Sequence, residues 1–498
     1  MLALLLLITI PLLGAGLAFA IKDNGKRPWI LVPIAVVHAV TVSWLWVSGS
    51  FPTLGRWLLL DAMGKIVLGL ISLLFLGASL YAVGYLKQRL ERNNRNFVAS
   101  LLFFLSAVTV VTLSHHFGLL WVALEATTLA SAPLLYFNHN QRSLEATWKY
   151  LIICSVGIAL ALLGTFFLAM AETAAGPVEN PLFLPTMLQH GASFSVPWLR
   201  ASFIFLLVGY GTKMGLAPMH TWKPDAYGEA PGLVGFLLAG ALTSCAFLAL
   251  FRINQVCQAA QQADFARPLF VMIGLLSMGV AAVFMLGQED YKRMLAYSSV
   301  EHMGILTLAL GLGGLAIYGA LLHLLSNGLA KGVLFLTAGN IHRHYRSKSV
   351  SSVQGVFRRL PLSGALFMAG FIAITGSPPF GIFVSEFTIL RSAVNDGHWT
   401  VVALFLGFLA LIFVGMGRIV LSMTQGEPAE NQPRRGVEGE APAALPTEGA
   451  TRAPVIEPWL TTLTPCVLLL SVFLLGIYIP SWLDRPLQMA AALVGGHR

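Results

Sequence analysis

Charged residues are scarce in this chain of 498 residues: they make up 11% of it, against about 25% in a soluble domain. Cysteine is also scarce. None of the four cysteines belongs to a CxxC pair, so the sequence offers no ligand set for zinc or an iron–sulfur cluster. The sequence contains no P-loop and no nucleophile elbow. The glycines at 311, 313 and 314 are not a dinucleotide fingerprint, because they lie between two apolar segments with no strand before them. We therefore expect no cofactor in this chain and no energy source of its own.

Hydrophobic residues, in contrast, make up 56% of the sequence, and the mean hydropathy is +0.76. Because only helices and closed barrels satisfy their backbone inside a bilayer, long apolar segments predict an all-α polytopic membrane protein. About fourteen segments have spanning length. They lie near residues 1–20, 29–48, 62–86, 97–113, 116–136, 147–170, 199–220, 232–252, 268–287, 294–314, 316–339, 361–390, 400–423 and 458–482.

The net charge of +9 is explained by the Lys and Arg residues of the loops that are predicted to be cytoplasmic, so it does not indicate nucleic-acid binding. The first segment ends like a signal-peptide cleavage site, but no Lys or Arg precedes it, so we expect a retained helix with its N-terminus outside. The odd-numbered loops then hold about 20 of the 31 Lys and Arg residues, as cytoplasmic loops do under the positive-inside rule. The C-terminus is expected outside as well.

The segments group into two blocks of five, with three helices before them and one after. We place the boundaries at 1–96 (three N-terminal helices), 97–254 (first block), 267–424 (second block), 425–457 (a flexible cytoplasmic linker) and 458–498 (a last helix). An odd number of helices per block inverts the second block relative to the first. Inverted repeats of this kind build the midplane ion site of many transporters.

Both blocks carry charges at corresponding places. The second helix of each block contains a glutamate, Glu125 or Glu301. The fourth helix of each block is predicted to break: Lys213 lies just before a proline, and Glu386 follows the glycines and prolines at 376–381. A break frees backbone carbonyls, which can hold water or an ion inside the membrane.

Lys213 lies near the middle of an apolar segment, where an ammonium costs about 2.5–3.5 kcal/mol on insertion scales. Glu125 is its predicted partner. At a separation of about 7 Å and an effective dielectric of about 20, their attraction is roughly 2.4 kcal/mol, enough for making or breaking the pair to load or release a proton. The alternatives are a fixed ion-pair role for Lys213 and a helix-capping role for Glu125.

His323, Asn327 and Lys331 are spaced four residues apart and form a polar stripe about 12 Å long on one side of an apolar helix. Such a stripe indicates a proton relay, although His323 alone could be a packing histidine. Glu301 and His302 are adjacent and face different sides of their helix, so a structural pair is the alternative for them. The candidate translocating residues are therefore Glu125, Lys213, Lys331, His323, Glu386, Glu301 and His302.

Other charges have plainer explanations. Asp61 and Lys65 are spaced i,i+4 at a helix start, where an aspartate suits the helix dipole, and we interpret them as structural. Lys149 is open between structure and function. The loop after the first break holds three candidate residues for proton uptake: His220, Asp225 and Glu229.

Three stretches carry a resemblance to a known family: GTKMGLAPMHTWKPDA at 211–226, DYKRMLAYSS at 290–299 and PPFGIFVSEF at 378–387. Over about residues 60–424 the chain resembles the antiporter-like, proton-conducting subunits of respiratory complex I, multisubunit cation/proton antiporters and membrane-bound hydrogenases. The stretches WVALEATT at 121–128 and SSVEHMG at 298–304 look most like the F-type branch of the hydrogenase-4 subunits.

The resemblance implies roles for single residues. Glu125 and Lys213 match the family's Glu–Lys pair. Lys331 matches its central lysine and His323 a neighbouring histidine, while Glu386 matches the terminal charge of the second half-channel. The resemblance also implies nickel–iron and iron–sulfur centres in partner subunits, neighbouring membrane subunits, a peripheral cytoplasmic redox arm and a prokaryotic plasma (inner) membrane.

The sequence departs from the family at Ala239, where many relatives carry a Lys or His. The step from Lys213 to Lys331 is therefore expected to use water near Thr243 and Ser244. Three functions follow from these patterns: translocation of protons, or of Na⁺ with protons, driven by redox chemistry in partner subunits; the membrane part of an inorganic-carbon uptake pump driven by an ion gradient; or a passive scaffold for a membrane hydrogenase. We take the first as the prediction.

Overall fold

Long apolar helices form nearly all of the structure. The computed structural model describes residues 1–174, 176–426 and 455–495. Within these ranges, twelve helical segments are long and apolar enough to cross a membrane. The remaining predicted spans, 199–220 and 361–390, are each divided by a break. The all-α membrane fold and its two broken helices are thus confirmed, whereas the count of fourteen spans is not. Most of the predicted linker, 427–454, lies outside the described residues.

The three N-terminal helices are α1 (Leu2–Ala20), α2 (Leu31–Val47) and α3 (Ala62–Leu86), with a hairpin of β1 (Thr53–Leu54) and β2 (Leu58–Leu59) before α3. The buried guanidinium of Arg27 holds the turn that follows α1. Its Nε and Nη2 donate to the Ile21 carbonyl at 2.9 and 2.6 Å, and its Nη1 donates to Asn24 Oδ1 at 2.7 Å and Asn94 Oδ1 at 2.5 Å. This planar donor set ties the end of α1 to the residue that precedes the fourth helix.

The first block contains α4 (Arg95–Leu113), α5 (Phe117–Leu135), α6 (Gln141–Thr173), the short α7 (Leu184–His190), α8 (Val196–Met214), α9 (Trp222–Glu229), α10 (Gly232–Leu237) and α11 (Thr243–Ala259). A π-helical turn at Leu238–Leu242 joins α10 to α11. Asn140 begins α6 with a capping box, because its side chain accepts from the Ser143 amide at 2.7 Å while Ser143 Oγ accepts from the Asn140 amide at 3.1 Å. This cap starts α6 several residues earlier than the predicted 147.

The second block contains α12 (Ala263–Leu286), α13 (Tyr291–Leu312), α14 (Leu315–Tyr345), the short α15 (Val356–Arg359), α16 (Pro361–Ile374), α17 (Gly381–Asn395) and α18 (Trp399–Gln425). Its helices pack in the same order as those of the first block: α4 on α5, α5 on α6, α6 on α8 and α8 on α11 correspond to α12 on α13, α13 on α14, α14 on α17 and α17 on α18. The internal repeat predicted from the sequence agrees with this arrangement.

Two helices follow the linker, α19 (Trp459–Ile477) and α20 (Ser481–Ala492). The sequence predicted one span over 458–482, but Pro480 begins a separate helix instead. Both helices pack against α3 and α14. The middle of the molecule consists of the segments whose apolar windows are entirely buried: Gly232–Ala259, Tyr291–Leu312 and Leu315–Tyr345. The predicted polar stripe lies on the last of these.

The first break separates α8 from α9. Gly215 ends α8 with φ +82°, a left-handed conformation that favours glycine. Side chains take two of the carbonyls at the end of α8: Trp222 Nε1 donates to the Thr212 carbonyl at 2.9 Å, and Lys223 Nζ donates to the Met214 carbonyl at 2.7 Å. Each of these carbonyls thus has one donor from the protein, and the expectation that freed carbonyls hold water or an ion stays a prediction.

The second break separates α16 from α17. Gly376 has φ +67°, and a Cβ at this position would collide with Glu386 Oε2. A Cβ at Gly381 would lie 2.6 Å from Ser326 Oγ of α14. Glycine thus lets the Glu386 carboxylate fold back against the break and lets α17 approach α14 closely.

Candidate functional site

A hydroxyl group connects the predicted partners Glu125 and Lys213. Thr128, one turn after Glu125 on α5, donates to Glu125 Oε2 at 3.0 Å, and its oxygen accepts a short hydrogen bond from Lys213 Nζ. No acidic oxygen of the described residues lies within 4.0 Å of Lys213 Nζ. The predicted partnership is therefore a Glu–Thr–Lys chain instead of a direct ion pair. Such a chain couples the two groups without contact between their charges.

Lys213 is fully buried at the end of α8. Its Nζ lies 5.3 Å from the ring centroid of Tyr150 and 3.4 Å from the Tyr150 hydroxyl. That hydroxyl also forms a 2.7 Å hydrogen bond with Ser131 Oγ of α5. The ring and the hydroxyls stabilise the ammonium in an apolar interior while leaving it free of a fixed counter-charge.

Glu125 lies near the surface of the molecule. Its side chain is only partly buried, and Ser155 of α6 donates to its Oε1 at 3.2 Å. The surrounding surface is apolar, with Val122 52% exposed and Ile152 59% exposed. The Glu–Thr–Lys chain thus runs from a buried lysine to the surface of α5 and α6.

A second lysine is anchored in a similar way. Lys331 is fully buried on α14, and its Nζ donates to Ser298 Oγ of α13 at 2.7 Å. Glu301 lies one turn further along α13 and is also buried. In both blocks, a lysine therefore binds a hydroxyl one turn away from the glutamate of the second helix.

His323 links α14 to its two neighbours. Its Nε2 is 3.0 Å from His302 Nδ1 on α13, and its Nδ1 is 2.9 Å from Ser385 Oγ on α17. Glu386 joins this group, because one ligand-type atom each of His302, His323 and Glu386 lies within 4.8 Å of the others. Their spacing suits a metal ion as well as a proton relay. Within the described residues, His302 Nε2 and Glu386 Oε1 have no hydrogen-bond partner, so both keep the capacity to bind a further group.

Asn327 lies on the predicted stripe and is buried like the rest of it. The structure confirms that the stripe is interior, but its members bind different neighbours: Lys331 binds α13, whereas His323 bridges α13 and α17. Glu301 Oε2 lies 4.0 Å from His302 Nε2, so these adjacent residues approach each other despite their different sides of the helix.

The residues predicted for proton uptake are mostly engaged in ion pairs. Asp225 pairs with Lys149 and with Arg293, both at 3.0 Å. Glu229 pairs with Lys348 at 2.5 Å. His220 is buried, and its ring lies 6.3 Å from the ring of Tyr297. These side chains form a charged cluster beside α9, and their role in proton uptake stays a prediction.

The expectation that the step from Lys213 to Lys331 uses water near Thr243 and Ser244 stays a prediction. The hydroxyls of Thr243 and Ser244 donate to carbonyls of their own helix at 2.7 and 2.5 Å, next to the buried Ala239. They are therefore engaged with the backbone. A residue that sequence reasoning left out, Lys223, is fully buried in this region. Its signal was a lysine directly after Trp222, in the predicted loop that follows the first break.

Asp61 and Lys65 are structural, as predicted, but they do not pair. Asp61 caps α3 by accepting from the Gly64 amide at 2.7 Å, while Lys65 Nζ donates to the Leu45 carbonyl at 3.1 Å. Burial opposes ionisation of Asp61, but a hydrogen bond from His115 and the charge of Arg252 outweigh it and lower the pKa of Asp61 to about 2.

The family of this chain follows from the part of its sequence that matches a known family. Residues 114–412 match the family described as NADH:quinone oxidoreductase/Mrp antiporter, transmembrane region. The chain belongs to this family. A "Hydrogenase-4 component F homolog" of Methylacidiphilum infernorum is 32% identical over 435 residues, covering 84% of this chain and 90% of the relative. The N subunit of the NADH-quinone oxidoreductase of Desulforudis audaxviator is 29% identical over 449 residues, covering 89% of this chain and 86% of the relative.

Solved structures share the fold. A chain of an archaeal membrane-bound sulfane sulfur reductase superposes with a TM-score of 0.85 at 20% identity, covering 99% of this chain and 97% of that one. A chain of the Mrp complex from Dietzia sp. gives the same values. The predicted resemblance, including its F-type hydrogenase-4 branch, is therefore confirmed.

Proposed function

We propose that this chain is the proton-translocating membrane subunit of a redox-driven complex of the membrane-bound hydrogenase or complex I type, moving protons or Na⁺ together with protons. The Glu125–Thr128–Lys213 chain is the observation that carries the proposal. It holds a titratable amine at membrane depth without a carboxylate in contact. Moving one charge against about 150 mV costs roughly 3.5 kcal/mol, so partner subunits supply the drive.

The proposed route follows the buried charges. Protons are taken up on the cytoplasmic side near the cluster of Asp225, Glu229 and His220. They reach Lys213, then the group of Lys331, His323 and His302, and leave past Glu386. The chain lies in a prokaryotic plasma membrane with both termini outside, as the distribution of Lys and Arg along the sequence suggests.

The partly buried carboxylate of Glu125 supports a neighbouring membrane subunit on the face of α5 and α6. A carboxylate facing lipid is expensive at membrane depth, whereas one facing a protein neighbour can find a polar partner. Relatives named as parts of multisubunit enzymes also support neighbouring subunits. We further propose that nickel–iron and iron–sulfur centres lie in a peripheral cytoplasmic arm of the complex.

The test uses the intact complex, purified through a tag on this chain and assayed in inverted membrane vesicles with a pH-sensitive dye. Lys213→Met is expected to abolish proton uptake driven by the partner's electron donor while the same subunits co-purify. Lys87→Met, at an exposed lysine, is the control and should translocate normally.

Proton uptake at the wild-type rate by an assembled Lys213→Met complex would show the proposal to be wrong and leave a scaffold role. Co-purification of a zinc-binding protein without redox subunits would favour the inorganic-carbon pump instead. Repeating the assay with and without sodium separates proton transport from coupled Na⁺ transport.

A further inference from the structure

Another buried lysine lies beside the two lysines of the proposed route. Lys223, in the first turn of α9, is fully buried and donates from Nζ to the Met214 carbonyl at 2.7 Å. The same Nζ lies 3.4 Å from the Ser299 carbonyl of α13. Met214 is adjacent to Lys213, and Ser299 is adjacent to the residue that binds Lys331. One ammonium therefore contacts the backbone both next to Lys213 and next to the residue that binds Lys331.

Packing on both sides of Lys223 connects it to the two groups. The Tyr150 ring, whose centroid lies 5.3 Å from Lys213 Nζ, packs against Trp222 with ring centroids 5.0 Å apart, and Trp222 directly precedes Lys223. On the other side, Lys223 Nζ contacts the carbonyl of Ser299, the residue after the Ser298 that binds Lys331. Lys223 thus lies next to the surroundings of both lysines.

The inverted repeat supports a functional role for Lys223. The pattern of charges along the sequence matches Lys213 with Glu386. Lys213, however, precedes the first break, whereas Glu386 follows the second break. Lys223 follows the first break, as Glu386 follows the second. A Cβ at Gly215 would lie 2.5 Å from Lys223 Cδ, just as one at Gly376 would collide with the Glu386 carboxylate. Each break therefore has a left-handed glycine covered by a charged side chain of the half-helix that follows.

The hydrogen bonds of Lys223 suit a group that changes its charge. Its Nζ contacts carbonyls and, among the described residues, no carboxylate within 4.0 Å. A neutral amine can keep such a carbonyl contact with its remaining N–H groups, so it needs no new partner when it loses a proton. A nearby lysine of like charge favours having only one of the two protonated at a time.

We propose that Lys223 carries the proton between Lys213 and Lys331, in the place of the basic residue that this chain lacks at Ala239. The neutral amine of Lys223 accepts a proton from the Lys213 ammonium, and the resulting Lys223 ammonium passes it to the neutral amine of Lys331. Each transfer breaks one N–H bond and forms another, directly or through water, and needs no further reactant. This inference rests on the proposed function.

The competing role is structural, because a cation also stabilises the C-terminal carbonyls of α8. Lys223→Arg and Lys223→Gln separate the two roles in the intact complex. Both retain hydrogen-bond donors for the Met214 carbonyl, but neither exchanges a proton near neutral pH. Lys292→Arg is the matched control, since Lys292 is similarly buried and donates to the Gly228 and Ala230 carbonyls at 2.9 and 2.6 Å.

We expect redox-driven proton uptake to fall about tenfold or more in Lys223→Arg and Lys223→Gln, with unchanged co-purification, and to stay normal in Lys292→Arg. Wild-type uptake by either assembled Lys223 variant would reject the relay and leave a structural cap. Lys213→Met, run in parallel, separates this failure from failure of the proposed function, because it would still block uptake.

If neither Lys223 variant assembles, Lys223→Met combined with Ala239→Lys moves the amine to the adjacent helix. Proton uptake by this double variant supports the relay. An assembled double variant without uptake rejects it, as does failure of all three variants to assemble, because Lys223 is then needed to hold the break.

Discussion

The hydroxyl of Thr128 should control communication between Glu125 and Lys213. Lys213 Nζ binds the Thr128 oxygen, which itself lies 3.0 Å from Glu125 Oε2, so the two charges are about 5 Å apart. At an effective dielectric of about 20, their attraction is about 3 kcal/mol. Thr128→Val keeps the shape of the side chain but removes both hydrogen bonds. It leaves the ammonium and the carboxylate each with one partner fewer.

A lost hydrogen bond to a charged group is worth about 1.5–3 kcal/mol, so the coupled proton transfer in Thr128→Val should slow about tenfold or more. The assay is redox-driven proton uptake by the intact complex in vesicles. Thr128→Ser, which restores the hydroxyl, should recover most of the rate. Thr127→Val is the matched control, because the neighbouring Thr127 is equally buried but donates only to its own helix, to the Leu124 carbonyl at 2.6 Å.

Wild-type uptake by an assembled Thr128→Val complex would refute this reasoning, since the two charges would then communicate without the hydroxyl. Equal losses in Thr128→Val and Thr127→Val would refute it too, because the loss would reflect helix packing and not the bridge.

Two further predictions concern stability and are measured by thermal unfolding in detergent. Arg27→Lys should lower the free energy of unfolding by about 2 kcal/mol or more, because a lysine cannot replace the planar donor set that holds the end of α1, whereas Lys26→Gln at the exposed neighbour should change little. Asp61→Asn should cost about 2 kcal/mol at neutral pH, because the pKa of Asp61 is lowered from 3.8 to about 2 in the folded protein. That contribution is present above pH 4 and is lost as the pH falls toward 2, so the difference between Asp61→Asn and wild type should narrow over this range; a difference that stays constant there would contradict the assignment.

The sequence was a good guide to the elements of this fold and to the charges inside it. Long apolar segments predict membrane helices because a bilayer leaves few other options, and glycine with proline marked both breaks. The buried positions of Lys213, His323 and Lys331 followed from the rarity of charge in such segments. None of these inferences required knowledge of how the helices pack.

Contacts between helices were beyond the sequence. Spacing could place Thr128 on the same face as Glu125, but not show that Lys213 on α8 would reach its hydroxyl. Lys223 escaped notice because it lies outside every predicted span, in what looked like a loop. Only the return of α9 into the interior makes it a buried lysine.

The glycines at the two breaks have a consequence for how this protein can vary among organisms. A side chain at Gly376 would need the space that the Glu386 carboxylate occupies, and one at Gly215 would need the space of the Lys223 stem. A side chain at either glycine would therefore be strained by the positive φ and would displace the charged companion. Across related sequences, each glycine should be exchanged only together with a change in its charged companion, so that the two breaks evolve as coupled pairs.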